Sequence, residues 1–203
     1  MFIMNIRSQK KLEKISRILD HGIEAFRVHG YHSSSVQDLA DYCKISKGSF
    51  YQYFESKEQF CQQVILHYSS KMRAMTGDIF NDSSLSGLEK LVKFYAAILE
   101  RTKNSGYKTG CLYGDLSAEL GGVNEECSTT LSKCLQKVAE VFQAAIQEGQ
   151  KDGSIRTDID AGTLASMSYN SFSGVILRMK VDRSLDAGEE FINTYIKKLL
   201  AHN

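Results

Sequence analysis

Proline is absent from the 203-residue sequence, and so is tryptophan. Proline interrupts helices more strongly than any other residue, because its ring removes a backbone N–H and clashes with the preceding turn. The other breakers are mostly single glycines and serines, so long helices are permitted along nearly the whole chain. The sequence therefore predicts an all-α protein, and its length suffices for one large domain or two small ones with real cores.

Cysteine is present but lacks the spacing of a metal site or a disulfide framework. No C-x-x-C pair occurs among the five cysteines, which are Cys43, Cys61, Cys111, Cys127 and Cys134. We therefore expect reduced thiols, no structural zinc and no cofactor.

Long apolar runs and an excess of charge are also missing. The four apolar residues 1–4 are too few for a signal sequence or a membrane span, so we expect a cytoplasmic protein that does not contact a membrane. The net charge is only +1, so affinity for nucleic acid must come from local clustering. One cluster surrounds Glu13 and consists of Arg7, Lys10, Lys11, Lys14 and Arg17. Most such runs are solvated helix faces, but this one precedes the motif described next, which favours phosphate contact for part of it.

Residues 35–57 predict two short helices joined by a tight turn. One apolar stripe of the first helix has the spacing i, i+3, i+4, i+7 and consists of Val36, Leu39, Ala40 and Cys43. Ser35 and Asp38 have the spacing of a capping box, and Ser46 is a candidate N-cap for the second helix. This layout is typical of a helix-turn-helix, whose second helix enters the major groove of DNA.

The outward face of the second helix has the chemistry of a DNA contact. Phe50 and Phe54 face inward, and the residues left outside are Lys47, Gly48, Ser49, Tyr51 and Tyr53. An ammonium group neutralises phosphate, hydroxyls donate to phosphate oxygens or base edges, and a glycine lets another molecule approach the backbone. An ordinary helical hairpin with a solvated second face remains the alternative on spacing alone.

Short matches give about a quarter of the chain a resemblance to a known family. They are Phe26 and residues 30–31, 35–36, 38–40, 45–51, 53–54 and 56–58. This pattern resembles the N-terminal domain of TetR-family transcriptional regulators. The resemblance implies a three-helix DNA-binding domain, a palindromic double-stranded DNA operator and a homodimer. The predicted DNA contacts are Ser34, Ser35, Lys47, Gly48, Ser49, Tyr51, Tyr53 and Lys57.

The periodicity of the remaining sequence predicts further helices. One covers residues 10–29, another begins at a capping box of Ser56 and Gln59 and runs towards Phe80, and the others cover residues 88–102, 111–120, 124–150, 159–180 and 184–201. We divide the chain into a DNA-binding domain (1–56), a connecting helix (57–80) and an effector-binding and dimerisation domain (81–203). The penultimate helix carries small residues on a second face, namely Gly162, Ser166, Ser173 and Gly174. The last two helices are therefore predicted to form a four-helix dimer interface.

The C-terminal half contains candidate effector residues, for which two interpretations remain open. Tyr95, Tyr113, Tyr169 and Phe172 could line a ligand cavity or simply fill a core. Cys111 opens a predicted helix, where the positive end of the helix dipole favours a thiolate. Residues 110–112 and 116–119 resemble NemR-type regulators, in which a cysteine at this place reacts with electrophiles or oxidants. A buried, inert cysteine is the competing interpretation.

The predicted function is therefore a sequence-specific DNA-binding transcriptional regulator. Its expected form is a repressor released from a palindromic operator by a small-molecule or thiol-reactive effector. A helical adaptor that binds protein through the hairpin is the first alternative. A cysteine-dependent enzyme is the second, although after His67 the only histidine is His202, so a base for Cys111 would have to come from the N-terminal part. We predict no enzymatic activity.

Overall fold

A computed structural model of the protein describes residues 6–108 and 110–201, with the exception of the side chains of residues 6–8. The parts of the predictions that lie outside these described residues are residues 1–4, the Arg7 side chain, Thr109 and His202. The helices are α1 (Ile6–His29), α2 (Val36–Tyr42), α3 (Lys47–Tyr53), α4 (Lys57–Phe80), α5 (Gly87–Asn104), α6 (Leu112–Leu120), α7 (Glu125–Asp152), α8 (Ala161–Asp182) and α9 (Asp186–Glu190). Within the described ranges the only β pairing is an isolated bridge between Ile155 and Ala201. The all-α prediction is confirmed.

The sequence predicts one regular helix over residues 184–201, and the structure differs from this prediction. The C-terminal helix begins as α9 and continues as a π-helical segment, Phe191–Leu200. Periodicity over ten residues does not separate the wider π turn from an α turn. No helix in the described part of the chain has both the length and the apolarity needed to cross a membrane.

The helix ends near the N-terminus follow the predicted capping residues. Ser35 and Asp38 form the capping box of α2, and Ser46 caps α3 by accepting a hydrogen bond from Ser49 N at 3.1 Å. The predicted box of Ser56 and Gln59 forms only in part. Ser56 Oγ accepts from Gln59 N at 3.1 Å, but the Gln59 carboxamide accepts from Glu55 N rather than from Ser56 N.

The chain folds into two compact units, and the first comprises the residues up to Lys71 together with Leu112–Ser132. Its core contains a group of phenylalanine rings around Phe60, whose centroid lies 5.8 Å from Phe26, 5.1 Å from Phe50 and 4.8 Å from Phe54. Phe26 belongs to α1, Phe50 lies in α3, Phe54 caps the C-terminus of α3, and Phe60 belongs to α4. The start of α4 is therefore part of the core that supports the helix-turn-helix.

The second unit comprises Met72–Cys111 and the residues from Lys133 onward. Its core is built by α5, α7, α8 and the C-terminal helix around buried residues such as Tyr95, Phe142 and Ile196. Helices α5 and α7 approach closely at two glycines. A Cβ atom on Gly87 would lie 2.2 Å from the backbone nitrogen of Gly149, so only glycine fits at this crossing.

The two units do not follow the sequence-based division at residues 56 and 80. Helices α4 and α7 each contribute to both units, and α6 belongs to the first. The reason is long-range packing, since Phe60 and the residues of α6 complete a core that residues 1–56 begin. The division into 1–56, 57–80 and 81–203 stays a prediction about which segments carry which function.

Candidate nucleic-acid interface and effector region

Helix α3 is anchored on one side and open on the other. Phe50 is fully buried within the phenylalanine group, which fixes the rotation of this short helix. Lys47, Gly48 and Tyr51 are exposed on the opposite side, and half of the Tyr51 surface is accessible. The outward face predicted from the sequence is therefore accessible within its own unit.

Ser49 and Tyr53 flank this exposed face and are half-buried. The Ser49 hydroxyl accepts a hydrogen bond from Ser46 Oγ at 3.0 Å, which leaves its own proton available for another acceptor. The Tyr53 ring lies beneath the Lys14 ammonium, which is 5.4 Å from its centroid. This contact joins the basic stretch of α1 to the outer edge of α3.

Gly48 has no structural reason to be glycine within this chain. Its φ angle is outside the left-handed region, and a Cβ atom built on it would meet only Ser46 Oγ, at 3.9 Å. Glycine is also an unfavourable helix residue. The position therefore leaves a flat, open backbone at the leading end of α3, which suits close approach by another molecule.

Further basic side chains lie in the same unit. Lys10, Lys11, Lys14 and Arg17 are exposed along α1. Lys57, in the first turn of α4, places its ammonium 4.1 Å from the ring centroid of Tyr31. Partial burial lowers the pKa of Lys57 from its ordinary value, while Glu58 acts in the opposite direction.

The two candidate serines before α2 have different environments. Ser35 is exposed and its hydroxyl donates to Asp38 Oδ2 at 2.6 Å, so it remains a candidate contact. Ser34 is buried, and its hydroxyl donates to the carbonyl of Gly30 at 2.7 Å. The side chain of Ser34 therefore stabilises the turn after α1 and is not presented outward, so this geometry does not support its predicted role as a DNA contact.

The candidate sensor Cys111 is half-buried and immediately precedes α6, which begins one residue later than predicted. Its Sγ lies 3.6 Å from the hydroxyl of Tyr169. The adjacent Gly110 packs against Ile176 and Lys180, and a Cβ atom built on it would lie 3.3 Å from the Lys180 Nζ. A phenol and an ammonium group therefore lie beside the segment that carries this thiol.

The other four cysteines are buried. Burial raises the pKa of the Cys43 thiol to about 12, and its Sγ donates to the carbonyl of Ile18 at 3.5 Å. The Cys127 Sγ donates to the carbonyl of Glu58 at 3.8 Å. Cys111 is thus the most accessible cysteine for a reagent in solution.

The aromatic candidates do not form one site. Tyr95 and Phe172 are buried in the core of the second unit with their ring centroids 4.5 Å apart, and burial raises the pKa of Tyr95 well above its usual value. Tyr169 is half-buried and contacts Cys111. Tyr113 belongs to the first unit, where its ring packs on Tyr68 at 4.9 Å. The structure therefore brings together Cys111 and Tyr169, with Tyr95 and Phe172 packed in the core of the same unit.

No cluster of three or more histidine, cysteine or acidic side chains in the described chain has an arrangement suited to a metal ion. The candidate regions are therefore an exposed helix-turn-helix face and a thiol beside a phenol.

Two family models match separate segments of the chain. The family model described as "Bacterial regulatory proteins, tetR family" matches residues 18–64, which contain α2 and α3. The model described as "Tetracyclin repressor-like, C-terminal domain" matches residues 87–195, more than half of the chain. The chain belongs to the TetR family. It is a DNA-binding transcriptional regulator, and its first 64 residues include the DNA-binding motif of that family.

Individual relatives extend over nearly the whole chain. HTH-type transcriptional repressor DhaR from Mycobacterium sp. (strain GP1) is 34% identical over 183 residues, which are 90% of each chain. A TetR regulatory protein from Rhodobacter sphaeroides has a solved structure with a TM-score of 0.83 and 28% identity, covering 89% of this chain and 95% of that one. The reduced form of NemR from Escherichia coli has a TM-score of 0.84 at 21% identity, covering 93% and 97%, and so shows the shared TetR fold.

One polar residue of this TetR-family regulator was missed by the sequence analysis as a site residue. Glu119, in the last turn of α6, accepts hydrogen bonds from the backbone N–H groups of Tyr31 and His32, both at 2.9 Å. A signal for it exists in the sequence, because an acidic residue at a helix C-terminus opposes the helix dipole. Its partners lie 87 and 88 residues away, and no local pattern identifies them.

Proposed function

We propose that this regulator is a homodimeric repressor that binds a palindromic operator and is released when an electrophile or small molecule acts on its C-terminal part. The observation that carries the proposal is the exposed outer face of α3, which is anchored by Phe50 and open at Gly48. The name of DhaR, a transcriptional repressor, supports repression as the direction of regulation.

The proposed DNA contacts are the exposed or half-exposed members of the predicted set: Ser35, Lys47, Gly48, Ser49, Tyr51, Tyr53 and Lys57. Lys47 and Lys57 are assigned to phosphates, since ammonium groups act there as point charges. Tyr51 is assigned to a base edge or a phosphate oxygen through its hydroxyl, because half of its surface is exposed on α3. Helix α3 would then enter the major groove with its N-terminus leading.

Dimerisation is assigned to α8 because one face of this helix lacks a cover in the single chain. Residues at alternating spacings of three and four along it are all exposed: Thr163, Met167, Asn170, Gly174, Leu177 and Val181. The space outside Gly174 is open, so a second helix can approach its backbone. Three of these six residues are large and apolar, which is unusual for a surface that stays in water. A two-fold pair of chains covers this face and presents two copies of α3 to a palindrome.

Release is assigned to Cys111 and its surroundings. An effector shifts the population of two conformations only as far as it prefers one of them. Addition of an electrophile to Cys111 Sγ inserts new atoms where the thiol now lies 3.6 Å from the Tyr169 hydroxyl. The modified protein is therefore expected to prefer a conformation with a different spacing of the two α3 helices.

A test of the whole proposal uses DNA fragments that the purified protein retains from its own genome. The expected result is a palindromic sequence whose binding weakens steeply as salt rises, because phosphate contacts release counterions. A helical adaptor would retain no sequence above background. That outcome would overturn the proposal.

Replacing Gly48 by alanine is expected to affect stability and DNA binding in opposite directions. The new methyl group meets only Ser46 Oγ at 3.9 Å, so the helix gains stability by about 0.5–1 kcal/mol. Operator affinity is expected to fall by about tenfold, because the methyl group lies between α3 and the groove. Thermal melting and fluorescence anisotropy with a labelled duplex measure the two effects. Unchanged affinity in the stabilised variant would show that nothing approaches this backbone closely.

Replacing Cys111 by serine is expected to abolish the response to N-ethylmaleimide while leaving operator binding intact. Treated wild-type protein should lose affinity by about fivefold or more, within the usual range of coupling between two sites. The matched control is Cys134→Ser, which removes a buried thiol and should leave the response unchanged. Operator release by the treated Cys111→Ser protein would remove the sensor role and leave DNA binding untouched.

A further inference from the structure

Glu119 of α6 forms hydrogen bonds with the turn between α1 and α2. Its Oε2 atom accepts hydrogen bonds from Tyr31 N and His32 N, each at 2.9 Å. The backbone carbonyl of the same residue lies 3.1 Å from His32 Nε2. Three polar contacts to consecutive residues from a single side chain and its carbonyl make a clamp, and we refer to Glu119 with Tyr31 and His32 as the α6 clamp.

The turn is shaped to receive this carboxylate. Gly30 has a φ of +74°, and a Cβ atom on it would lie 2.8 Å from Glu119 Oε1. Glycine therefore suits this position in two ways, since it adopts the positive φ without strain and leaves room for the close carboxylate. The acidic residue itself sits at the end of α6, where the helix dipole disfavours it. Stabilisation of α6 alone does not account for its presence there.

The clamped turn continues directly into the DNA-binding elements. The Tyr31 hydroxyl donates to Glu58 Oε1 at 2.8 Å, and the Tyr31 ring carries the Lys57 ammonium on its face. Ser34 Oγ donates to the Gly30 carbonyl, and Ser35 begins α2. A displacement of Glu119 would therefore change the position of Tyr31, and with it the start of α4 and the entry to α2.

We propose that Glu119 is the positioning residue through which α6 sets the geometry of the helix-turn-helix for DNA. Helix α6 begins at Leu112, the residue after Cys111, and ends one residue after Glu119. The thiol and the turn are thus connected by α6, a single helix of nine residues. The inference rests on the proposed DNA binding, and it adds the residue that transmits the change.

The first test is operator affinity of full-length Glu119→Gln, measured by anisotropy on the folded fraction. The amide keeps the shape and an acceptor oxygen but loses the charge that strengthens both N–H bonds. Affinity should fall by about fivefold or more, and N-ethylmaleimide should then produce less than a twofold further change. The control is Glu126→Gln, which removes a carboxylate bonded to Gln62 at 2.8 Å on the same unit without touching the turn. Its affinity and response should match the wild type.

A second variant addresses the same clamp from the turn. In Gly30→Asn, the asparagine tolerates the positive φ of this position, and its side chain pushes against the Glu119 carboxylate. The effects of Gly30→Asn and Glu119→Gln on affinity should be strongly non-additive, since both break one contact. A folded Glu119→Gln protein with wild-type affinity and full response would overturn the proposal, whatever its melting temperature.

Hydrogen exchange separates this inference from the proposed function. In wild-type protein without DNA, the amides of Tyr31 and His32 should exchange slowly, and labelling of Cys111 with N-ethylmaleimide should speed their exchange. Glu119→Gln should show the fast rate before labelling. Failure to bind any duplex would sink the proposed function, whereas unchanged exchange at these two amides after labelling would sink the coupling role of Glu119.

Discussion

Replacing Lys47 and Tyr51 together by alanine is expected to weaken operator binding by about 30-fold or more. Each side chain is exposed on α3, and a contact of this kind contributes about 1–3 kcal/mol to binding. The loss of Lys47 should also reduce the dependence of log affinity on log salt by about one, because one phosphate contact disappears. The loss of Tyr51 should reduce affinity without this change in slope if its hydroxyl reads a base edge.

The double variant should fold as well as the wild type. Neither side chain belongs to the phenylalanine group that anchors α3, and surface substitutions usually change stability by less than about 0.5 kcal/mol. Lys133→Ala is a suitable control, since Lys133 is exposed on α7 in the second unit. Anisotropy titrations at several salt concentrations measure all three proteins. A double variant that binds the operator as tightly as Lys133→Ala would contradict the assignment of α3 as the reading helix.

Replacing Leu177 and Val181 by glutamate is expected to separate the dimer and to lower affinity for a palindrome by about 100-fold or more. These residues are 56% and 80% exposed on the open face of α8. Burying four carboxylates across a two-fold interface is strongly unfavourable unless they are paired. Each chain would then bind one half-site alone and lose the advantage of linked binding, which is commonly 100-fold or more.

The control for this variant is Val123→Glu, an exposed valine of similar accessibility, 71%, just after α6. Light scattering after size-exclusion chromatography should give the mass of one chain for the α8 variant and of two chains for the control. Circular dichroism should show that both remain helical. A dimeric Leu177→Glu/Val181→Glu protein would mean that the chains associate through another face.

Local features of the fold could be predicted from the sequence because neighbouring residues determine them. The capping box of Ser35 and Asp38 and the N-cap at Ser46 both depend on residues within one turn of the chain. The outward face of α3 follows from the inward spacing of Phe50 and Phe54. These features also carry the family resemblance, and for that reason the DNA-binding motif was predictable.

The remaining features depend on contacts between distant residues, and local patterns do not contain them. Ser34 is next to an exposed serine in the sequence, yet the turn directs its hydroxyl to Gly30. Tyr113 follows Cys111 by two residues, yet it belongs to the first unit and packs there on Tyr68, whereas Cys111 belongs to the second. Tyr169 meets Cys111 across 58 residues, and Glu119 meets Tyr31 across 88. Such pairs require the tertiary structure.

The composition of the first unit has a consequence for engineering chimeric regulators. A DNA-reading module excised at residue 56 would leave behind Phe60, around which the three other phenylalanine rings are arranged. It would also lack the segment Leu112–Ser132, which the same unit draws from far along the chain. Transplanting this specificity onto another sensor therefore requires grafting two separate stretches of sequence together, the second of which brings α6 and the Glu119 carboxylate that bonds the turn.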